Sequence, residues 1–171
     1  SEMCIRDRYF FEEPLAPEDL EGYRLLRGLG LASLAAGEGL LGKHACCRWI
    51  SGGALDIFQP DICSSGGFTE LKKITALCQC WHTRVIPHVW GSGICLAASL
   101  QFLATLPPSP LCLRPEEPLL EYDRSDHPFR AALIFNALPL DADGWVRIPD
   151  GPGLGIDVNR EVIEQFSQSS S

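Results

Sequence analysis

The sequence is short of positive charge. Its 14 lysines and arginines face 22 aspartates and glutamates, which gives a net charge of −8 and a pI near 4.9. That balance argues against nucleic acid or an anionic membrane surface as a partner. No apolar run reaches the ~18 residues of a membrane span. The first residues lack the apolar core of a signal peptide, so a cytoplasmic location is the expectation. Several catalytic signatures are missing as well. Gly151, Gly153 and Gly155 are not flanked by the strand and helix of a dinucleotide-binding turn. There is no phosphate-binding loop and no serine in a nucleophile elbow. The eight cysteines, among them Cys46-Cys47 and Cys78-Gln79-Cys80, are not spaced as a zinc knuckle or a redox pair. With no export signal, all eight are expected to be free thiols.

What is present is enough apolar chain for one core. The 171 residues are 46% apolar and 21% charged, the balance of a folded domain rather than a disordered one. Within that chain one pattern recurs. Short apolar runs end in an ionisable residue at Glu12, Glu38, Asp61, His88 and Glu121, at steps of 26, 23, 27 and 33 residues. A βα unit of a parallel barrel takes about that much chain. Five strands are therefore expected, at Tyr9–Phe11, Ala32–Ala36, Leu55–Phe58, Arg84–Val89 and Leu119–Tyr122. Helices are expected at Pro17–Arg27, Lys43–Ser51, Phe68–Trp81 and Ile94–Leu106, the last apolar almost all round and hence buried. A loop with five prolines spans Pro107–Pro118. A short strand at Trp145–Ile148, a glycine-rich turn over Asp150–Gly155 and a helix at Arg160–Phe166 complete the chain.

The predicted fold class is α/β, with parallel strands and outer helices. About five of the eight strands of a (β/α)7β barrel are accounted for, and a closed barrel of this kind takes roughly 250 residues. The expectation is a C-terminal part of a barrel, truncated upstream. Residues 1–8, polar where a strand should already be running, are expected to be an artefactual extension. Residues 9–166 form the barrel part, and 167–171 a frayed tail.

In a barrel of this kind, carboxylates and histidines at successive strand ends converge on the rim where catalysis takes place. Glu12 and Glu38, on adjacent strand ends, suit Mg²⁺, a hard cation that keeps water and substrate among its ligands. The bland alternative is a pair of rim charges, and Glu13 is assigned to that structural role. His88 beside Asp61 reads as a general base oriented by a carboxylate, against the alternative of a satisfied core histidine. Glu121 could hydrogen-bond developing negative charge if it stays protonated. His44 and His82 fall on helices and His127 in a loop, and none of them is given a role.

The ordered set Phe11-Glu-Glu-Pro-Leu15, Gly37-Glu38, Gln59-Pro-Asp61 with Gly66-Gly67, Pro87-His88, Leu120-Glu121 and Pro149-Asp-Gly-Pro-Gly-Leu-Gly155 resembles the mandelate racemase/muconate lactonizing enzyme family of the enolase superfamily. The resemblance implies that Mg²⁺ is held by three strand-end carboxylates, of which Glu12 and Glu38 match the second and third. It also implies His88-Asp61 as the catalytic dyad and Glu121 as the group that hydrogen-bonds the enediolate. The shared chemistry would be removal of a proton alpha to a carboxylate. Val89-Trp-Gly-Ser-Gly93, Phe102, Pro115-Glu-Glu-Pro118, Glu121-Tyr-Asp-Arg124 and His127-Pro-Phe-Arg130 look most like the D-galactarolactone cycloisomerase members. Acid-sugar dehydratases and racemases of the same subgroup are the alternatives. The implied partner is a small-molecule carboxylate, an acid sugar or its lactone, and a homo-oligomer is a possible assembly. The third metal carboxylate, the strand-2 basic residues and the capping domain of the family should lie upstream of Tyr9. Without them the chain alone is expected to bind Mg²⁺ poorly and to turn over little. Leu40-Leu41 lacks the polar or aromatic residues that some relatives place there. His82-Thr83 stands where glycine is frequent at a helix end, at a small local cost. The reading from another class is a non-catalytic half barrel whose open edge strands pair.

Overall fold

The computed structural model describes residues 9–109 and 115–168. The expected artefactual octet, most of the frayed tail, and Cys4 and Cys112 lie outside these residues. Two compact units are present, one within residues 1–88 and 107–119, the other within 89–106 and 120–171.

The first unit carries a four-stranded parallel sheet with the strands side by side in chain order: β1 (Phe11–Glu12), β2 (Leu34–Ala36), β3 (Ile57–Phe58) and β4 (Arg84–Val85). Glu12 is in register with Ala35, Ala36 with Phe58, and Phe58 with Val85. Parallel neighbours need a crossover, and each is a helix: α1 (Leu20–Gly28), α2 (Gly42–Ser51) and α3 (Gly67–Cys80). The strands themselves are short. Ala35, Ile57 and Ile86, with Phe10 against them, form one apolar cluster. Tyr23 of α1 is fully buried edge-to-face on Trp49 of α2, with ring centroids 5.0 Å apart, and its hydroxyl donates to Leu15 O.

Each helix of this unit starts and stops for a local reason. Asp19 caps α1 by accepting from Gly22 N at 2.9 Å. Leu41 cannot cap α2 with its side chain, so Glu70 of α3 does so instead, accepting from Lys43 N at 2.9 Å. At the end of α3, Thr83 N donates to Cys78 O and His82 N to Gln79 O. This is the bond pair of a Schellman cap, and it puts His82 in the left-handed region at φ 55. At the opposite end of the strands from the acids, Arg27 donates to Asp56 at 2.9 Å and to Gly53 O, while Asp56 accepts from Leu34 N.

The second unit is built on α4 (Gly93–Leu103), capped by Ser92 and buried along nearly its whole length, as its composition predicts. A Cβ on Gly93 would fall 2.7 Å from Arg130 O, so glycine is what lets α5 (Pro128–Ala132) approach. Gln101 Nε2 donates to Pro149 O and Leu154 O, which ties down the glycine-rich turn. The terminal helix α6 (Arg160–Gln168) runs past the predicted Phe166.

Two expectations fail among the described residues. Leu119–Tyr122 forms no strand, so four strands are seen rather than five. Pro118 brings no N–H to a ladder, and side-chain bonds fix this segment instead: Glu121 accepts from Val89 N and Tyr122 OH donates to Leu138 O. Trp145–Ile148 is reduced to a single bridge, Leu140 with Val146. The loop after Pro107 contains a bridge of its own, Ser109 with Glu116. The six described cysteines are free thiols, and burial pushes Cys46 up to about 11 and Cys78 higher still, which keeps both neutral. No helix among the described residues is long and apolar enough to cross a membrane.

Candidate active site

The carboxyl ends of the four strands deliver four ionisable side chains in succession. β1 ends at Glu12. One residue past β2, Gly37 takes φ 131, and a Cβ there would meet the Phe58 ring at 3.1 Å and Gln59 N at 3.2 Å. That close approach sets Glu38 at the end of its strand. β3 runs into Gln59, Pro60 and Asp61. Ile86 N extends β4 by donating to Phe58 O, and Pro87-His88 follows.

His88 lies at the centre of this end. Its Nδ1 is 2.9 Å from Asp61 Oδ2 and its Nε2 is 3.0 Å from Glu38 Oε2. Asp61 is buried and doubly anchored, its other oxygen accepting from Cys63 N at 2.6 Å and Ser64 N at 3.0 Å. Burial alone would raise the Asp61 carboxyl. The hydrogen bond to His88 and the Ser64 and Cys63 amides outweigh it and hold the group below the ordinary carboxylate range. Asp61 is therefore ionised and orients the ring through Nδ1, while Nε2 faces Glu38 Oε2, so the imidazole lies between two carboxyl groups. Of the predicted residues, Glu38, Asp61 and His88 meet in direct contact.

Glu12 sits beside them through Gln59, whose Nε2 donates to Glu12 Oε1 at 3.0 Å. Glu121 belongs to the second unit, where its Oε2 accepts from Val89 N at 2.7 Å. Two residues of this end escaped the sequence reading. Glu13, set aside as a rim charge, adopts φ 41. Burial first, and then the charge of Glu38, raise its pKa against the lowering pull of the Gly37 amide and His88. The Glu12-Glu13 doublet was the available signal, but alternation along a strand hid it, because the left-handed backbone re-aims the second carboxylate. Gln59 is 1% exposed. Its only signal was its place directly before Pro60-Asp61.

The donors at this end suit a hard cation in kind. Glu12 and Glu38 offer carboxylate oxygens on neighbouring strands, and Mg²⁺ is commonly bound through one or two carboxylates plus water and substrate. Among the described residues, no group of three His, Cys, Asp or Glu donors able to hold an ion includes either of them.

Comparison with known proteins identifies the family. Residues 5–162 match the family described as enolase C-terminal domain-like. D-galactarolactone cycloisomerase of Agrobacterium fabrum is 45% identical over 158 residues, 92% of this chain and 41% of that protein. D-gluconate dehydratase of Thermoproteus tenax is 33% identical over 168 residues, 95% of this chain and 31% of that protein. The crystal structure of the 3,6-anhydro-D-galactonate cycloisomerase from Zobellia galactanivorans superposes with a TM-score of 0.83 at 34% identity, covering 94% of this chain and 43% of that one. The chain thus spans about 30 to 40% of the length of these curated relatives. The match over residues 5–162, with these identities and this superposition, places the chain in the enolase superfamily, in its mandelate racemase/muconate lactonizing enzyme family.

Proposed function

We propose that this chain carries the proton-transfer half of an Mg²⁺-dependent active site that acts on an acid sugar or its lactone. The single observation that carries the reading is the His88–Asp61 contact, in which an ionised, amide-anchored carboxylate on Nδ1 orients the imidazole. In the reaction, the bond between hydrogen and the carbon alpha to the substrate carboxylate breaks. The proton goes to His88 Nε2 and the electron pair moves onto the carboxylate oxygens. In a lactone the same pair then expels the ring oxygen from the next carbon, and the ring opens. Asp61 stays ionised throughout, holding the imidazole in orientation and stabilising the imidazolium. For Nε2 to act, Glu38 must give up its 3.0 Å contact, as it would on turning to a cation. Glu12 and Glu38 would hold Mg²⁺, which when bound supplies positive charge beside the developing enediolate. The role proposed for Glu121 rests on the family resemblance alone: a hydrogen bond to the enediolate.

The 45% identity to the Agrobacterium cycloisomerase supports the lactone as substrate. Dehydration or racemisation of an acid sugar is the alternative outcome, since a dehydratase also stands among the relatives. Alone, the chain offers two carboxylate donors and is expected to turn over little. The test grafts residues 9–166 into the Agrobacterium enzyme in place of its matched region. The product from D-galactarolactone with Mg²⁺ is then followed by NMR. Ring opening supports the assignment; activity confined to open-chain acid sugars would transfer it to the dehydratases.

A further inference from the structure

The side chain that touches Glu12 is itself unusual. Gln59 is 1% exposed, and its amide is used at one end only. Nε2 donates to Glu12 Oε1 at 3.0 Å, whereas Oε1 is buried and meets no hydrogen-bond partner among the described residues. A buried amide with one end unsatisfied is a poor choice for stability alone, because an apolar side chain of the same length would fill the space without stranding an oxygen. What the amide does provide is a fixed donor aimed at one carboxylate oxygen. The backbone beneath it is rigid: Gln59 N donates to Ala36 O at 2.9 Å, and the next residue is the buried Pro60. Glu12, by contrast, is an exposed residue at the end of a two-residue strand, and its longer side chain has more rotatable bonds to fix.

We propose that Gln59 is a positioning residue that sets the orientation of the Glu12 carboxylate for a divalent cation by donating to Glu12 Oε1. The inference rests on the reading of Glu12 and Glu38 as cation donors. It adds the residue that prepares the first of them. Partners that orient a ligating carboxylate commonly change metal affinity by 10–100-fold when removed.

The test is a calorimetric titration with Mn²⁺ of the grafted enzyme that carries residues 9–166, with electron paramagnetic resonance of the free ion as a second readout. The variants are Gln59→Met, Glu12→Gln and the two combined. Gln59→Met is expected to weaken Mn²⁺ binding by about 10–100-fold while the thermal midpoint holds or rises. In the Glu12→Gln background the same substitution should change affinity no further, because its effect runs through Glu12. Should Gln59→Met not fold, Gln59→Asn, which keeps an amide but shortens its reach, is expected to show the same loss. Equal Mn²⁺ affinity with and without the Gln59 amide, beside a weak Glu12→Gln variant, would overturn the role of Gln59 and leave the cation site standing. Losses that simply add in the double variant would overturn it too, since they mark a structural role. No binding by the unaltered graft, or undiminished binding by Glu12→Gln, would overturn the cation site and this inference with it.

Discussion

At the scale of single residues, the site works by giving like groups different surroundings. Asp61 and Glu13 are both carboxyls at strand ends, yet their pKa values move in opposite directions. Asp61 is kept ionised by an imidazole and two amides, and Glu13 is pushed toward its neutral form by burial and by Glu38. A raised carboxyl favours the fold while it is protonated, and that contribution disappears as pH rises through its folded pKa. Glu13→Gln, which mimics the protonated form, is therefore expected to raise the thermal midpoint at pH 7. The gain should shrink as pH falls below 4.5, where the native side chain is protonated as well. Melting curves at the two pH values check this, and a uniform shift would show that charge is not the cause. The residue scale is also where the sequence was least legible. Spacing found Glu12, Glu38, Asp61 and His88, but it could not show that φ 41 turns Glu13 inward. Nor could it show that Gln59 reaches across 47 positions of chain to Glu12.

At the scale of elements, the helices were legible because amphipathic periodicity and caps are local properties. The strands were less so, because a two-residue strand is defined by its neighbours. Leu119–Tyr122 has the apolar character of a strand, yet side chains rather than a ladder anchor it. The five residues of α5 are too few to show a period. Two predictions belong here. Glu70 caps α2 from α3 and pairs with Lys73, and first the Lys43 amide and then Lys73 lower it to about 2. A lowered carboxyl stabilises above its unfolded value and loses that contribution as pH falls through its folded one. Glu70→Gln should thus cost stability at pH 7, and the difference should fade between pH 4.5 and about 2. Acid titration of the helical circular dichroism signal reads it; a difference that persists at pH 2 would contradict the assignment. At the other end of α3, His82 occupies a left-handed cap position that glycine fills without strain. His82→Gly should relieve about 1–2 kcal/mol of left-handed strain, partly offset by the greater entropy of the unfolded chain, for a net stabilisation in chemical denaturation; a loss of stability would show that the imidazole compensates for its backbone.

At the scale of the whole molecule, the order of the acids along the chain was the most legible feature of all, since the βα period converts sequence spacing into adjacency at one end of a sheet. β1 is one edge of that sheet, and its Phe11 is exposed. The central claim remains the dyad. The most direct measurement is solvent deuterium exchange at the substrate's alpha carbon, followed by proton NMR in the grafted enzyme carrying residues 9–166, with and without His88→Asn. If His88 takes the proton, the unaltered graft exchanges and the variant falls by roughly 10²–10⁴-fold with an unchanged thermal midpoint. Exchange at the same rate in both would contradict the dyad and remove His88 from the chemistry.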